Sequence, residues 1–459
     1  MDIGNKSTLN FHDKRITVIG MGLSGLGAAK LAKHFGAQVL ISDPGNSDTM
    51  KLAAKECHSI GIKVEIGGHT NRIYSADLWV VSPGVPKEAK IIQKALSQSI
   101  PVVGEIEFAS WFTSAPILAV TGSNGKTTTA SALAHMCQTD SIHGILAGNI
   151  GSAFSHNVLD ELLHPDNKRV YVLEISSFQM EFIVHFKPHV AVFLNISPDH
   201  LDRHKSMEAY TKAKLDMSKN LGGTDTIVYN ADDPILREAF HVTHADKKTF
   251  GLHALPTHAF SVNTQNIYDK NKKIFIKIDE IHLPGPHNLA NLVAAATAAK
   301  VIGISDEHIQ HVFRSFTAIE HRLENVAYVD GVNYINDSKA TNIDAVIVAL
   351  NSFSQPIILI LGGKDKGADF TQLLPHTHNV KAVLAYGQAR GTIATALADA
   401  VRLSIVEGLK DAVHLSHQLA SSGDIVLLSP GCASFDQFKN YEERGRMFKE
   451  WANALESTV

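Results

Sequence analysis

Short apolar runs, glycine-bearing turns and helical stretches alternate along this chain. Arg15 to Ile19 is the first run; Gly20-Met-Gly-Leu-Ser-Gly25 and an apolar helical stretch to about Phe35 follow it, and Val39 to Ile41 then leads to Asp43. That order predicts the beginning of a βαβ unit. Leu78 to Val81 reads as another buried strand, closed by Ser82-Pro-Gly-Val-Pro86. A second opening runs from Ile117 to Val120 through Thr121-Gly-Ser-Asn-Gly-Lys-Thr127 into a helix ending near Cys137. Strands at Val170 to Glu174 and Val190 to Asn195 come next. Between residues 245 and 283 the pattern alternates, as in Lys273-Ile-Phe-Ile-Lys-Ile278, which predicts an antiparallel addition at the edge of the second domain. Ile281 to Asn288 leads into the alanine-rich helix Leu289 to Val301. A third opening begins near Ile319, with apolar runs at Val332 to Ile335, Ile357 to Leu361, Ala382 to Ala385 and Ile425 to Leu428. Strands alternating with helices predict parallel sheets covered on both faces, so the fold class is α/β. The expected domains are 1–103, 104–318 and 319–459.

Composition narrows the partners. Hydrophobic residues make up 44% and charged residues 19%, ordinary values for a globular chain. Forty-six acids against 42 bases give a formal charge of -4, which argues against a coat for nucleic acid or an anionic membrane. Cys57, Cys137 and Cys432 lie too far apart for a zinc pattern or a disulfide framework, and this usage fits a reducing compartment. No run approaches the roughly 18 apolar residues of a membrane helix, and no apolar stretch precedes the first strand. A cytoplasmic protein is expected. Most of the 25 histidines sit in polar surroundings and are expected at the surface.

Chemistry concentrates where the apolar runs end. Gly20-x-Gly22-x-x-Gly25 is a fingerprint for a pyrophosphate at a helix N-terminus, with Asp43 placed to bind a sugar hydroxyl. A nicotinamide dinucleotide and a uridine diphosphate both offer those groups. In Thr121 to Thr127 the backbone N–H groups of a glycine-rich turn can cradle a triphosphate, Lys126 can reach its terminal phosphates and the Thr127 hydroxyl can bind Mg²⁺. Val120 stands where the general phosphate loop has glycine, so this is a variant loop. Glu174, at a strand end in the same domain, is placed like a magnesium ligand. His200, in a polar cluster after another strand, is a candidate metal ligand. Lys214 falls on a helix predicted from Glu208 onward, where a solvated face would be the ordinary reading. Asn336 to Asn342, Gly362 to Gly367 and Ser429 to Phe435 each follow a strand, and carry Lys339, Lys366 and Ser434 to one sheet edge as an anion-binding face.

Taken together, these segments resemble the Mur ligase family, and within it the enzymes that add D-glutamate. The resemblance runs in order through TGSNGKTT, YVLEISSFQ, NISPDHLDRH, NADDP, GPHN, EHRLE, NDSKATN and LSPGCASFDQFKNYEERG, over nearly the whole chain. It implies a Rossmann-like N-terminal domain for a UDP substrate, a central P-loop ATPase-like domain, and a C-terminal Rossmann-like domain for the amino acid. The implied reaction belongs to peptidoglycan precursor synthesis: ATP phosphorylates the carboxylate of UDP-N-acetylmuramoyl-L-alanine, and D-glutamate attacks the acyl phosphate. By the same resemblance Gly122, Ser123, Asn124, Gly125, Lys126, Thr127, Thr128, Asn288, Arg322 and Asp337 serve ATP. Leu23, Ser24, Asp43 and Asn149 meet the UDP substrate; Lys339, Thr341, Lys366, Ser434 and Tyr441 meet D-glutamate. Thr127 and Glu174 hold one Mg²⁺ and His200 a second, with Lys214 carbamylated by CO₂ into a metal ligand. Lys126, His200 and Lys214 are the expected catalytic groups, in a protein expected to act as a monomer. A nicotinamide oxidoreductase would leave the second phosphate loop without a use, and a mere nucleotide-binding module would not need Glu174 and His200.

Overall fold

The computed structural model describes residues 10–253, 258–283, 285–317, 320–365 and 367–455, and for Asp202 the backbone alone. The joint expected at 318–319 and the expected D-glutamate contact Lys366 lie outside the described residues. The chain forms two compact units. One holds the described residues up to Ile196 with those of Glu208–His282 and Asn288–Phe316; the other holds those of Ser197–Met207, Leu283–His287 and from Thr317 on.

In the first unit, β1 (Arg15–Ile19), β2 (Gln38–Asp43), β3 (Lys63–Ile66), β4 (Leu78–Val81) and β5 (Val102–Gly104) make a parallel sheet of order β3-β2-β1-β4-β5. A second parallel sheet follows from β6 (Ile117–Thr121), β7 (His143–Gly148), β8 (Arg169–Glu174), β9 (Val190–Phe193), β10 (Thr226–Asn230) and β11 (Asp246–Phe250), ordered β11-β10-β9-β6-β8-β7. Helices cover both faces of such a sheet, so its central strands are buried along their whole length and largely apolar: all residues of β6, β8 and β9 are buried, with Thr121, Arg169 and Glu174 as polar ones at the strand ends. Each buried Val, Leu or Ile side chain there contributes about 1.5–3 kcal/mol over its exposed state.

The 245–283 expectation needs correcting in part. β11 pairs in parallel with β10 and so continues the main sheet. It is an edge strand whose Asp246, Lys247 and Lys248 face solvent, so it lacks the apolar alternation that reveals a half-buried strand. Only β12 (Phe260–Val262), β13 (Asn266–Asp269) and β14 (Ile274–Lys277) are antiparallel, in a small sheet of their own.

The second unit carries β15 (Glu324–Val329), β16 (Val332–Asn336), β17 (Ile357–Gly362), β18 (Val380–Tyr386), β19 (Leu403–Ile405) and β20 (Ile425–Leu428), ordered β15-β16-β20-β17-β18-β19. All neighbours are parallel except β15 and β16. Those two form a hairpin over Asp330-Gly331, both at positive φ (51° and 78°), the mirror-image turn that an Asp-Gly pair favours. The three polar loops expected to share an edge follow β16, β17 and β20, which are neighbours in this order.

One buried acid ties the N-terminal and central sheets of the first unit together. Glu107 is fully buried on the helix Glu105–Ser110, directly after β5. Its Oε1 accepts from Trp111 Nε1 (2.7 Å) and the His185 N–H (2.8 Å), and Oε2 from the N–H groups of Val184 (3.0 Å) and Phe186 (2.7 Å). Glu107→Ala takes this acceptor from four donors, of which the Trp111 and Phe186 bonds are buried, at about 1–3 kcal/mol for each buried donor before relaxation. A loss of about 3 kcal/mol or more in urea unfolding is expected, and a loss below about 1 kcal/mol would show that water replaces the carboxylate.

Candidate active site

The fingerprint loop closes tightly because its glycines allow it. A Cβ on Gly25 would stand 1.9 Å from the Gly20 carbonyl oxygen, so the helix Leu23–His34 can begin only where residue 25 has no side chain. A cavity of about 680 Å³ opens above this loop. Leu23, Ser24, Asp43 and Asn149 all line it, together with His69, Ser82 and Gln179, which the sequence did not mark. Leu23 is 74% exposed, a large apolar side chain left at the cavity mouth. Asp43 is not idle: Oδ2 accepts from the Met21 N–H and Oδ1 from the Gly45 N–H, both at 2.7 Å. Its carboxylate shapes the fingerprint loop, a use the expectation of a sugar contact did not foresee.

The second loop is held from below. Gly125 caps the helix Lys126–Met136 with φ +83°, and a Cβ on it would lie 2.2 Å from Asn291 Oδ1. Asn195, just past β9, fixes the loop by three bonds: its carbonyl accepts from the Ser123 N–H (2.9 Å), its Oδ1 from the Asn124 N–H (2.8 Å), and its Nδ2 donates to the Asn124 carbonyl (3.1 Å). Lys126 Nζ donates to the Gly122 and Ser123 carbonyls at 2.8 Å each. Lys214 is 2% exposed, not on a solvated face; its Nζ donates to the same Gly122 carbonyl at 2.8 Å and lies 4.6 Å from the Tyr210 ring centre. Tyr210 in turn bonds Ser123 Oγ at 3.0 Å. Two ammonium groups thus stand at one carbonyl, set in advance for a polyanion.

Thr127 is buried beside them, and Thr128 is 1% exposed with no hydrogen-bond partner for its hydroxyl among the described residues. Glu174 is buried at the end of β8, and Asn149 is bonded to it twice, N–H to carbonyl and Nδ2 to Oε1, both at 2.8 Å. Asn149 therefore lines the cavity and holds the acid of the phosphate-loop sheet at the same time. Asn288 is buried in the first turn of the helix Pro286–Val301.

His200 belongs to the second unit, at φ +54° before the short helix Leu201–His204, with Asp199 Oδ2 3.5 Å from its Nε2. Asp199 Oδ2 also accepts from Asn342 Nδ2 (3.1 Å) in that unit. Asp337 is buried; Oδ2 accepts from Ser429 Oγ (2.8 Å) and Oδ1 from the Leu323 N–H (3.3 Å). Burial pushes its carboxyl up to about 7, against the opposing pull of Arg322 and those hydrogen bonds. Lys339 Nζ reaches Tyr441 Oη at 3.3 Å, and Ser434 is 2% exposed. Buried Arg444 joins the loops that carry them: Nε donates to Ser338 Oγ (2.9 Å), Nη2 to the Ser338 carbonyl (2.7 Å) and Nη1 to the Cys432 carbonyl (3.1 Å). The Lys364 and Ala433 backbones pair across to the third loop at 2.8 and 3.1 Å.

Three sequence profiles match this chain: a Mur ligase MurD-like N-terminal domain over residues 14–104, a Mur ligase middle domain over 120–299, and a Mur ligase glutamate ligase domain over 321–432. A UDP-N-acetylmuramoylalanine–D-glutamate ligase of Salinibacter ruber is 40% identical over 460 aligned residues, covering 96% of this chain and 98% of the relative. The chain belongs to the Mur ligase family. A ligase of the same name from Pelotomaculum thermopropionicum is 41% identical with the same coverage. Solved Mur ligases share the fold: the UDP-N-acetylmuramate-alanine ligase MurC of Thermotoga maritima has a TM-score of 0.60 at 18% identity, over 96% of this chain and 99% of its own. MurF of the same organism, in complex with ADP, has a TM-score of 0.61 at 15% identity, over 98% of this chain and 97% of its own.

Asn195, Tyr210, Asn291 and Arg444 support the expected site residues without having been singled out for it. Asn195 had a signal, a polar residue where an apolar run stops. The others sit inside helices, where sequence spacing does not tell a buried polar contact from a solvated one.

Asp337 makes a pH test. Its folded pKa is raised, so the folded state holds the proton more tightly than the unfolded chain does. The stability this contributes is fully present below about pH 4 and is lost as pH rises through about 7. Asp337→Asn keeps the shape without the charge, its oxygen accepting from the Leu323 N–H and its amide donating to Ser429 Oγ in the reverse sense. Urea midpoints should therefore move in favour of the variant between pH 5 and pH 8; a constant difference would mean that Asp337 is ionised throughout.

Proposed function

We infer that this protein is an ATP-dependent ligase joining D-glutamate to UDP-N-acetylmuramoyl-L-alanine, with ADP and phosphate as the other products. The observation that supports the reading is a pair of glycine-bearing loops in one unit, linked through Asn149: it lines the fingerprint cavity and holds Glu174 on the strand beside the one that leads into the second loop. Two separate loops allow a nucleoside diphosphate group at one and a triphosphate at the other. Relatives of nearly the same length bear the name of this activity.

Phosphoryl transfer between two anions needs positive charge already in place. Lys126 and the N–H groups of residues 122–128 supply it to the β- and γ-phosphates. The substrate carboxylate attacks the γ-phosphorus, ADP leaves, and the amine of D-glutamate then displaces phosphate from the acyl phosphate. Thr127 and Glu174 are oxygen donors of the kind magnesium prefers, so the residues fit that ion. When bound, magnesium neutralises charge on the transferring group. For His200, Arg322 and Asp337 the residue types and the family resemblance support a second magnesium ligand, a phosphate cation and a ribose acceptor. Lys339, Thr341, Ser434 and Tyr441 are assigned to the two carboxylates of D-glutamate, with Lys366. Lys214 is assigned a carbamate: its amine adds to CO₂ and releases a proton. The shared Gly122 carbonyl supports this, because converting one of two neighbouring ammonium groups to an anion replaces repulsion with attraction. A reaction that consumes ATP supports a cytoplasmic location; separately, no helix among the described residues is long and apolar enough to cross a membrane.

Lys126→Ala should lower amino-acid-dependent ADP release by about 100-fold or more. Calorimetry should find affinity for the UDP substrate nearly unchanged. Lost UDP-substrate affinity with retained ATP turnover would overturn the assignment of the two cradles. Lys214→Ala should lose most activity and regain part of it with added short carboxylic acids, while CO₂-depleted buffer slows the unaltered enzyme. Full activity of Lys214→Ala would remove that residue from the site.

A further inference from the structure

Away from the fingerprint loop, the cavity is bordered by Asp43, Pro44 and His69. The sheet order β3-β2-β1-β4-β5 explains their sequence: β1 ends at the fingerprint, β2 at Asp43, and β3 is followed by Gly67, Gly68 and His69. A pyrophosphate at the Leu23 helix end has its nucleoside on the β2 side in doubly wound nucleotide folds. There each oxygen of Asp43 already takes a backbone N–H, and Pro44 has no polar side-chain atom. His69 is the polar side chain left to meet a base.

Its ring is held by a chain of contacts. Nδ1 lies 2.8 Å from Ser42 Oγ, and Ser42 Oγ donates to Glu65 Oε2 at 3.2 Å. Glu65 also accepts from the Thr70 hydroxyl (2.6 Å) and has Arg72 Nη1 at 3.7 Å. A carboxylate so surrounded only accepts, so the one proton of the fully buried Ser42 hydroxyl points to it. Ser42 Oγ must then accept from Nδ1–H, and in the neutral ring Nε2 is left as an acceptor.

We propose that His69 reads the nucleotide base, Nε2 accepting the N3–H of uracil while Ser42 and Glu65 position the ring and its tautomer. Cytosine has a lone pair at N3, and two acceptors would face each other. The inference rests on the reading that a uridine diphosphate group occupies this cavity.

Calorimetry with UDP, CDP and 2′-deoxy-UDP on the full chain tests it, with circular dichroism melts to verify folding. The unaltered protein should prefer UDP to CDP by about tenfold or more, and His69→Ala should weaken UDP by about tenfold while leaving CDP unchanged. In Ser42→Ala the acceptor that keeps the proton on Nδ1 is gone, either ring nitrogen can carry it, and the preference for UDP over CDP should narrow. That second variant decides the matter should His69→Ala fail to fold. Equal weakening of UDP and CDP by His69→Ala, with a smaller gap between UDP and 2′-deoxy-UDP, would put the ring on the ribose and overturn the base assignment. An unchanged UDP-to-CDP preference in the variants would overturn it as well. No binding of UDP to the unaltered protein would overturn the underlying reading of the cavity, while a uridine preference that ignores His69 would leave that reading standing and sink only this inference.

Discussion

Asn149 is bonded to Glu174 by both its backbone and its side chain, and the design of the first unit depends on that clamp. A buried carboxylate on a strand end is costly unless its oxygens are met by donors. The amide meets one of them from a residue that also borders the nucleotide cavity. A shift of the β7 end would therefore disturb the cavity wall and the acid together. The cavity wall and the end of β8 are thus tied to each other by short, directed hydrogen bonds inside a single packed unit.

The same economy recurs in the loops. Asn195 grips the phosphate loop by three bonds, Asp43 grips the fingerprint by two, and Arg444 ties Ser338 to Cys432 by three. Loops with few apolar contacts cannot be fixed by burial. Polar side chains at least partly withdrawn from water take that role, each bonding two or more backbone or side-chain groups of its loop.

Electrostatic costs accompany these arrangements. Lys126 and Lys214 share a carbonyl, and Asp337 is buried to the point where its carboxyl holds a proton up to about neutral pH. The two costs differ in kind: repulsion between neighbouring ammonium groups for the lysines, and loss of hydration on burial for the Asp337 carboxyl.

The sequence by itself determined the strands of both central regions and the places where chemistry gathers. Runs such as Ile117 to Val120 and Ile425 to Leu428 are buried on both faces, and glycine turns at their ends are local signals that survive without any partner. The family resemblance grouped Leu23, Ser24, Asp43 and Asn149, and the fold brings them to one cavity. Edge strands were less legible: β11 carries charges toward solvent, and its direction depends on β10, which the sequence did not mark. Only the tertiary structure decided how Asp43 spends its oxygens, that Lys214 is buried, and that Glu65, Ser42 and His69 form a chain. Those choices join residues brought together from different strands and loops. Which donor meets which acceptor across such a gap is settled by packing and burial, not by any spacing along the chain.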